Sequence, residues 1–377
     1  MQHNCFGESI CENGAQCLQD NIICPQTSIC VCRKCYHGRK CQFNSRLFDI
    51  SLDAIIGYYI RPHTHIKLQP SIIQVSITMT TIIIIISLIN SILSLITFKD
   101  KEIYKTGCGV YLFFSSIFTF FTTIILIFKF WILIIAQITY TTNRSFLYFQ
   151  CMSLDFLLRI GLNMNEWLIT CVAIERALTV IKGTRFDQKQ NRRIAKYAII
   201  ILFIFITSTS IHDPINRNLL SDDDDDKRIW CIVSYSDRLQ IYNTFIYMFH
   251  FFVPFIFNIL SAVIIIIMTT RQRTMVHSKE PYKKLLREQI KQHIHLLISP
   301  FVLISLAIPR LIIFLVGRCV DSIGNPWLLL TGYFISFFPL IITFIIFVVP
   351  SKTYTKIFKQ SLTQYQQMIR SQLHFCQ

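Results

Sequence analysis

Residues 169–183 read ITCVAIERALTVIKG. An apolar run is broken by Glu175 and Arg176, resumes from Ala177 to Ile181, and ends at Lys182 and Gly183. The Glu-Arg pair stands near the end of a much longer hydrophobic stretch, roughly 147–181. An ionised side chain near hydrocarbon costs several kcal/mol unless it is paired or snorkels to the interface. The pair therefore marks either the end of a helix or a functional element.

The surroundings define the medium. Hydrophobic residues make up 53% of the 377-residue chain, well above an ordinary soluble domain. A spanning helix needs about 20 mostly apolar residues. Seven such runs occur, at roughly 71–97, 107–135, 147–181, 194–212, 240–269, 289–316 and 326–349. The β-branched run Ile82–Ile86 would suit a buried strand in water, but at this length a lipid-facing helix fits better. Barrel strands alternate apolar and polar residues in segments of about ten, and this chain does not. Lys and Arg orient the bundle. With the N-terminus outside, the inner connections hold about 15 of them and the outer ones about 6, as the positive-inside rule requires. The net charge of +16 thus follows from topology and the anionic inner leaflet, and implies no nucleic-acid partner.

Eight of the 14 cysteines fall at positions 5, 11, 17, 24, 30, 32, 35 and 41. Such density in a short polar segment reads as a disulfide framework outside the reducing cytosol. Zinc ligation would call for paired knuckles, and Cys32-Cys35 forms the only one, so no metal is expected. The stretches CENGAQC and CVCRKCYHGRKC resemble an EGF-like module. That resemblance implies the bridges Cys5–Cys17, Cys11–Cys30 and Cys32–Cys41, leaving Cys24 and Cys35 to pair with each other. No carboxylate precedes Cys5, so no calcium site is expected. No apolar leader precedes the module either. Either the first span serves as the insertion signal, or the chain given is part of a longer one. The reading divides the chain into an EGF-like extracellular module at 1–45, a polar linker at 46–69, a seven-helix domain at 70–350, and a cytoplasmic amphipathic helix and tail at 351–377.

Arg176 lies 25 residues after Cys151, about 37 Å along a helix. One span therefore has a cysteine at its outer tip and Glu-Arg at its inner tip. Cys231, in KRIWCIVSY, is the outer cysteine that a bridge to Cys151 would use. Here the chain resembles the rhodopsin-like G-protein-coupled receptors over roughly residues 70–365. Their third helix opens on a bridged cysteine and closes on Asp/Glu-Arg-Tyr, with Ala177 replacing the tyrosine in this chain. Asn90 resembles the asparagine of helix one. Pro254, Pro309 and Pro339 resemble the prolines of helices five, six and seven and serve as candidate hinges. PSKTYTKIFKQSL, from Pro350, looks like the short helix along the inner leaflet. Other motifs are eroded: Ala307 precedes Pro309 where an aromatic is usual, Phe338 and Ile342 flank Pro339, and the helix-two aspartate is replaced by Ser115, Ser116 and Thr119. The expected fold is an all-α membrane protein, a seven-transmembrane helix bundle with a small disulfide-rich head.

The resemblance implies that Glu175 holds Arg176 at rest, and that Arg176 reaches a heterotrimeric G protein when helix six swings out. Lys129, Asp155, Arg159 and Arg310 are ionisable residues within the spans, which makes them candidate pocket residues. Asp155 and Arg159, one turn apart, would neutralise each other. If the four converge, the pocket is net cationic and favours a carboxylate or an acidic peptide end. Snorkelling or internal pairing is the alternative. Glu166, Asn163 and His250 read as a polar network between helices. Asn143-Arg144-Ser145 is a glycosylation sequon. No HExxH, GxSxG or P-loop is present, no cofactor is implied, and the chain does not read as an enzyme. The expected function is a plasma-membrane receptor for an extracellular ligand, a peptide or an anionic small molecule. The alternatives are an adhesion or ligand-presenting protein working through its head, and a non-signalling decoy.

Overall fold

The computed structural model describes residues 3–4, 11–12, 14–20, 28–33, 36–37, 40–41, 43–44, 52–139, 143–183, 187–221, 229–233, 235–276 and 326–375. The expected sixth span with Pro309 and Arg310 lies outside them, as do Cys5, Cys24, Cys35, Cys319 and Cys376.

Six helical stretches among the described residues are long and apolar enough to cross a membrane. They are α2 (Ser71–Phe98), α3 (Gly107–Thr139), α4 (Arg144–Lys182), α5 (Gln188–Ser210), α6 (Asp237–Val276) and the pair α7 (Pro326–Ile335) and α8 (Phe338–Phe347). Two helices start earlier than hydropathy suggests because polar caps extend them. The Asn143 side-chain Oδ1 accepts from Phe146 N at 3.2 Å. The Asp187 carboxylate accepts from Lys189 N at 2.9 Å and Gln190 N at 3.3 Å. Each satisfies amide groups that have no partner within the helix.

The faces are arranged for lipid. In α2 the isoleucines Ile82, Ile85, Ile86 and Ile89 are exposed, while Ser76, Thr80, Ser87, Asn90, Ser91 and Ser94 are buried. Lipid is as apolar as isoleucine, so small residues that allow close approach take the inner face. The seventh span is broken rather than continuous. Pro339 sits in the first turn of α8, where its missing amide N–H costs no helical bond. Past the break, Asn90 of α2 inserts into a turn of α8: its Nδ2 donates to Leu340 O at 2.7 Å and its Oδ1 accepts from Phe344 N at 2.8 Å. A regular helix would pair those two backbone groups with each other.

Helix α4 is the central post, packing against α3, α5 and α6, while α2 packs against α3, α7 and α8. After α8 the chain turns into α9 (Lys352–Phe375), which also packs against α2. A hairpin, Arg217–Ser221 paired with Ile229–Val233, covers the Cys151 end, where Cys151 is bridged to Cys231. In the head, Gln16–Gln19 pairs antiparallel with Ser28–Val31. Cys11–Cys30 and Cys32–Cys41 are bridged, and Cys17 is disulfide-bonded as well.

One segment departs from the sequence reading. Residues 52–60 fall within the expected polar linker, yet they form the short helix α1 (Leu52–Ile56) followed by a 3-10 turn at Gly57–Tyr59. Leu52, Ile55, Ile56 and Ile60 are 0, 2, 0 and 1% exposed. They join the core cluster that includes Leu126, Leu158 and Phe334. Apolar side chains three and four apart on a helix share one face, and that face is turned into the bundle.

Gly161 marks a close approach of α4 to α3. A Cβ added there would fall 2.0 Å from Thr122 Oγ1. Gly161→Ala therefore forces the helices apart and should destabilise by about 1–3 kcal/mol, lowering the thermal midpoint in detergent. Adding Thr122→Ala removes the nearest atom and should restore part of the loss. A midpoint unchanged by Gly161→Ala would refute the close crossing.

Candidate functional site

Charged and polar groups collect at three levels along α4. At the Cys151 end, Lys129 of α3 is 0% exposed. Its ammonium pairs with Asp53 of α1 and, at 3.0 Å, with Asp155 of α4. Asp155 also accepts from Arg217 of the hairpin at 2.7 Å. The Arg217 guanidinium in turn grips Asp213 through two bonds, Nε to Oδ2 at 3.1 Å and Nη2 to Oδ1 at 3.2 Å. The Tyr235 hydroxyl donates to Asp213 Oδ1 at 2.7 Å. The result is a buried chain of ions, Asp53–Lys129–Asp155–Arg217–Asp213. Burying a charge is tolerable only with such partners. The neighbouring Cys151–Cys231 bridge fixes the hairpin to α4, so Arg217 is held at the correct height.

Of the four expected pocket residues, Lys129 and Asp155 are brought together here, while Arg310 lies outside the described residues. Among the described salt bridges Asp155 pairs with Lys129 of α3 and Arg217 of the hairpin. These two cations face three carboxylates, of Asp53, Asp155 and Asp213. The third carboxylate, that of Asp53, comes from the segment before the first spanning helix.

In the middle of the bundle His250 of α6 is buried. Trp167 Nε1 donates to its Nδ1 at 3.0 Å, and its Nε2 meets Thr209 Oγ1 at 2.9 Å. A ring that accepts at Nδ1 carries its proton on Nε2, so His250 ties α4 to α5 as a neutral imidazole. Asn165, rather than Asn163, forms the other polar link of α4. Its Oδ1 accepts from Ser115 and, at 3.4 Å, from Thr119 of α3. These are two of the residues at the place where the receptors this sequence resembles carry an aspartate. Beside Pro254, Asn258 Nδ2 donates to Pro254 O at 2.9 Å and to Thr170 Oγ1 at 2.8 Å. The α6 proline is thus clamped to α4.

At the far end of α4, Glu175 and Arg176 both reach the Cys108 thiol of α3. Glu175 is buried and sits on the first residues of α3. A Cβ at Gly107 would lie 2.3 Å from Glu175 Oε2, and the amides of Gly107 and Cys108 support the carboxylate. A helix N-terminus favours an anion through its unpaired N–H groups and dipole. Arg176 has partners on α8 and α9 as well. Its guanidinium lies 5.5 Å from the Phe347 ring centroid of α8 and interacts with the Tyr354 hydroxyl of α9. Burial pushes the Tyr354 phenol above its usual pKa, so it stays neutral. No salt bridge joins Glu175 to Arg176 among the described residues, which replaces the expected pairing of neighbours. Adjacent helical residues point about 100° apart, and each finds a better partner on a different helix.

Asn143 is exposed at the start of α4. No group of His, Cys, Asp and Glu residues able to hold a metal is found among the described residues. Sequence reasoning missed Asp53, Asp213, Arg217 and Tyr235. Arg217 was visible only as a loop charge, while Leu52, Ile55 and Ile56 around Asp53 gave a short amphipathic signal inside an otherwise polar stretch.

Arg217→Ala should strand Asp155 and Asp213 without their shared cation and destabilise by about 3–5 kcal/mol. The check is thermal unfolding in detergent beside Arg144→Ala, an exposed control at the start of α4. Equal midpoints for the two variants would contradict the ionic chain.

A family model described as 7 transmembrane receptor (rhodopsin family) matches residues 121–323, more than half of the chain. No curated protein matches it significantly.

Proposed function

The chain belongs to the rhodopsin family of seven-transmembrane receptors, and from that premise we propose that it couples an extracellular ligand to heterotrimeric G proteins by outward movement of its sixth helix. It is a multi-pass membrane protein. The Lys and Arg asymmetry puts the Cys151 end outside and the Arg176 end in the cytoplasm. The disulfide-bridged head, read as EGF-like, is then extracellular, and α9 lies along the inner leaflet.

The observation that carries this reading is the placement of Arg176. It sits at the cytoplasmic end of the central post, free of an ion pair with Glu175, beside Phe347 and Tyr354 where α8 meets α9. About 31 Å away on the same helix, Asp155 belongs to the outer ionic cluster. One helix therefore joins a ligand-side cluster to a partner-side cation. Two such sites become coupled when each favours the same arrangement of the helices between them. The clamp at Pro254 and the break at Pro339 supply points where those helices can pivot. A cytoplasmic opening beside Arg176 would offer its guanidinium to the carbonyl oxygens of a docking helix C-terminus.

Nucleotide exchange on a panel of G proteins tests this, in membranes holding wild type or Arg176→Ala at equal surface expression. Exchange should be seen with wild type and fall at least tenfold in the variant. Equal exchange would refute the switch. If exchange is absent and removal of the head's cell-binding surface abolishes cell–cell contact, the protein acts in adhesion instead.

A further inference from the structure

Residues 52–60 occupy the place where the proposed orientation puts an extracellular ligand. They enter from before the first span, and no spanning helix supplies any of them. Their buried face combines aliphatic side chains, Leu52, Ile55, Ile56 and Ile60, with one carboxylate, Asp53. An apolar body with a single polar anchor is the usual composition of a small ligand in a concave site. The anchor has a dedicated partner. Asp155 is shared between Lys129 and Arg217, and Asp213 serves Arg217. Asp53 bonds Lys129 and no other cation among the described salt bridges. Without it, a fully buried ammonium would share one carboxylate with a second cation.

The exit from this seat is also fixed. Gln69 Oε1 accepts from Arg61 N at 2.8 Å, and Gln69 Nε2 donates to Arg61 O at 2.7 Å and Thr64 O at 3.1 Å. His63 N donates to Ile138 O of α3 at 3.2 Å. The chain thus enters the outer core of the bundle, turns, and is stapled as it leaves to begin α2 at Ser71. The other end runs to the head, with ten residues, 42–51, between Cys41 and Leu52.

We propose that Leu52–Ile60 is a built-in ligand, and that the outer cavity is a recognition site for a carboxylate carried on a short aliphatic helix, filled by the chain itself. This deepens the receptor reading by naming the ligand class of its outer site, and it rests on that reading for orientation. The segment is held at very high local concentration by its tether. A free ligand of the same chemistry must therefore displace it, or find it displaced.

The test uses the full chain and a fluorescent synthetic peptide of residues 51–62. Wild type, with its seat filled, should capture little peptide. The variant Asp53→Lys with Ile56→Lys, which cannot seat its own segment, should capture at least tenfold more. A peptide carrying Asp53→Asn should bind that variant at least tenfold more weakly than the native peptide. Equal capture by variant and wild type, or equal binding of both peptides, would overturn the proposal. Should the double variant fail to reach the surface, single cysteines in the otherwise native chain decide the matter. On intact cells, Ile55→Cys should react with an impermeant maleimide at least tenfold more slowly than Leu68→Cys, which replaces a residue 70% exposed. Equal rates would overturn it as well. Neither readout needs a G protein. Peptide capture with silent exchange would retire the signalling reading and leave the internal ligand standing, while Arg176-dependent exchange without capture would do the reverse.

Discussion

A lysine with no exposed surface at the outer end of a membrane bundle is the constraint around which the rest is arranged. Removing an ammonium from water is expensive, and only close carboxylates offset the loss. Lys129 draws Asp155 of α4 toward α3 and Asp53 down from the preceding segment. Asp155 then recruits Arg217, and Arg217 needs Asp213. Each ion makes the next one necessary. The chain of charges binds together α1, α3, α4 and the hairpin, which hydrophobic attraction could not do, since lipid competes equally well for apolar side chains.

The same logic governs the rest of the bundle. Where two helices must register in lipid, a small or polar residue sits at the contact. Gly161 lets α4 approach Thr122, Asn90 inserts its carboxamide into a turn of α8, and Asn165 and His250 tie the post to its neighbours. At the opposite end Glu175 is held by the first amides of α3, which leaves Arg176 to the aromatic corner of Phe347 and Tyr354. The disulfide between Cys151 and Cys231 works with these bonds, because it holds the hairpin down over the ionic cluster.

Much of this was legible in the sequence. The spans were visible because about 20 apolar residues have no other common use, and the Cys151 to Arg176 spacing identified the central post. The cysteine pairs Cys11–Cys30, Cys32–Cys41 and Cys151–Cys231 are bridged as the family resemblances implied. Helix ends were less legible, since hydropathy does not register the caps at Asn143 and Asp187. Partner choice was not legible at all. Asp155 and Arg159 are neighbours in one dimension, and so are Glu175 and Arg176, but the cations that Asp155 meets and the amides that Glu175 meets arrive from other helices. Residues 52–60 were hidden for a related reason: a nine-residue segment is too short for a span, and His63, His65 and Lys67 just after it give the region a polar average.

Hydrogen–deuterium exchange, followed by peptide mass analysis of the full chain in detergent, reports whether Leu52–Ile60 is seated on Lys129 within the bundle. Seated, amides of 52–60 exchange at least a hundredfold more slowly than the same sequence as a free peptide, and Lys129→Met removes most of that protection. Exchange at the free-peptide rate in wild type would show that the segment is not held there.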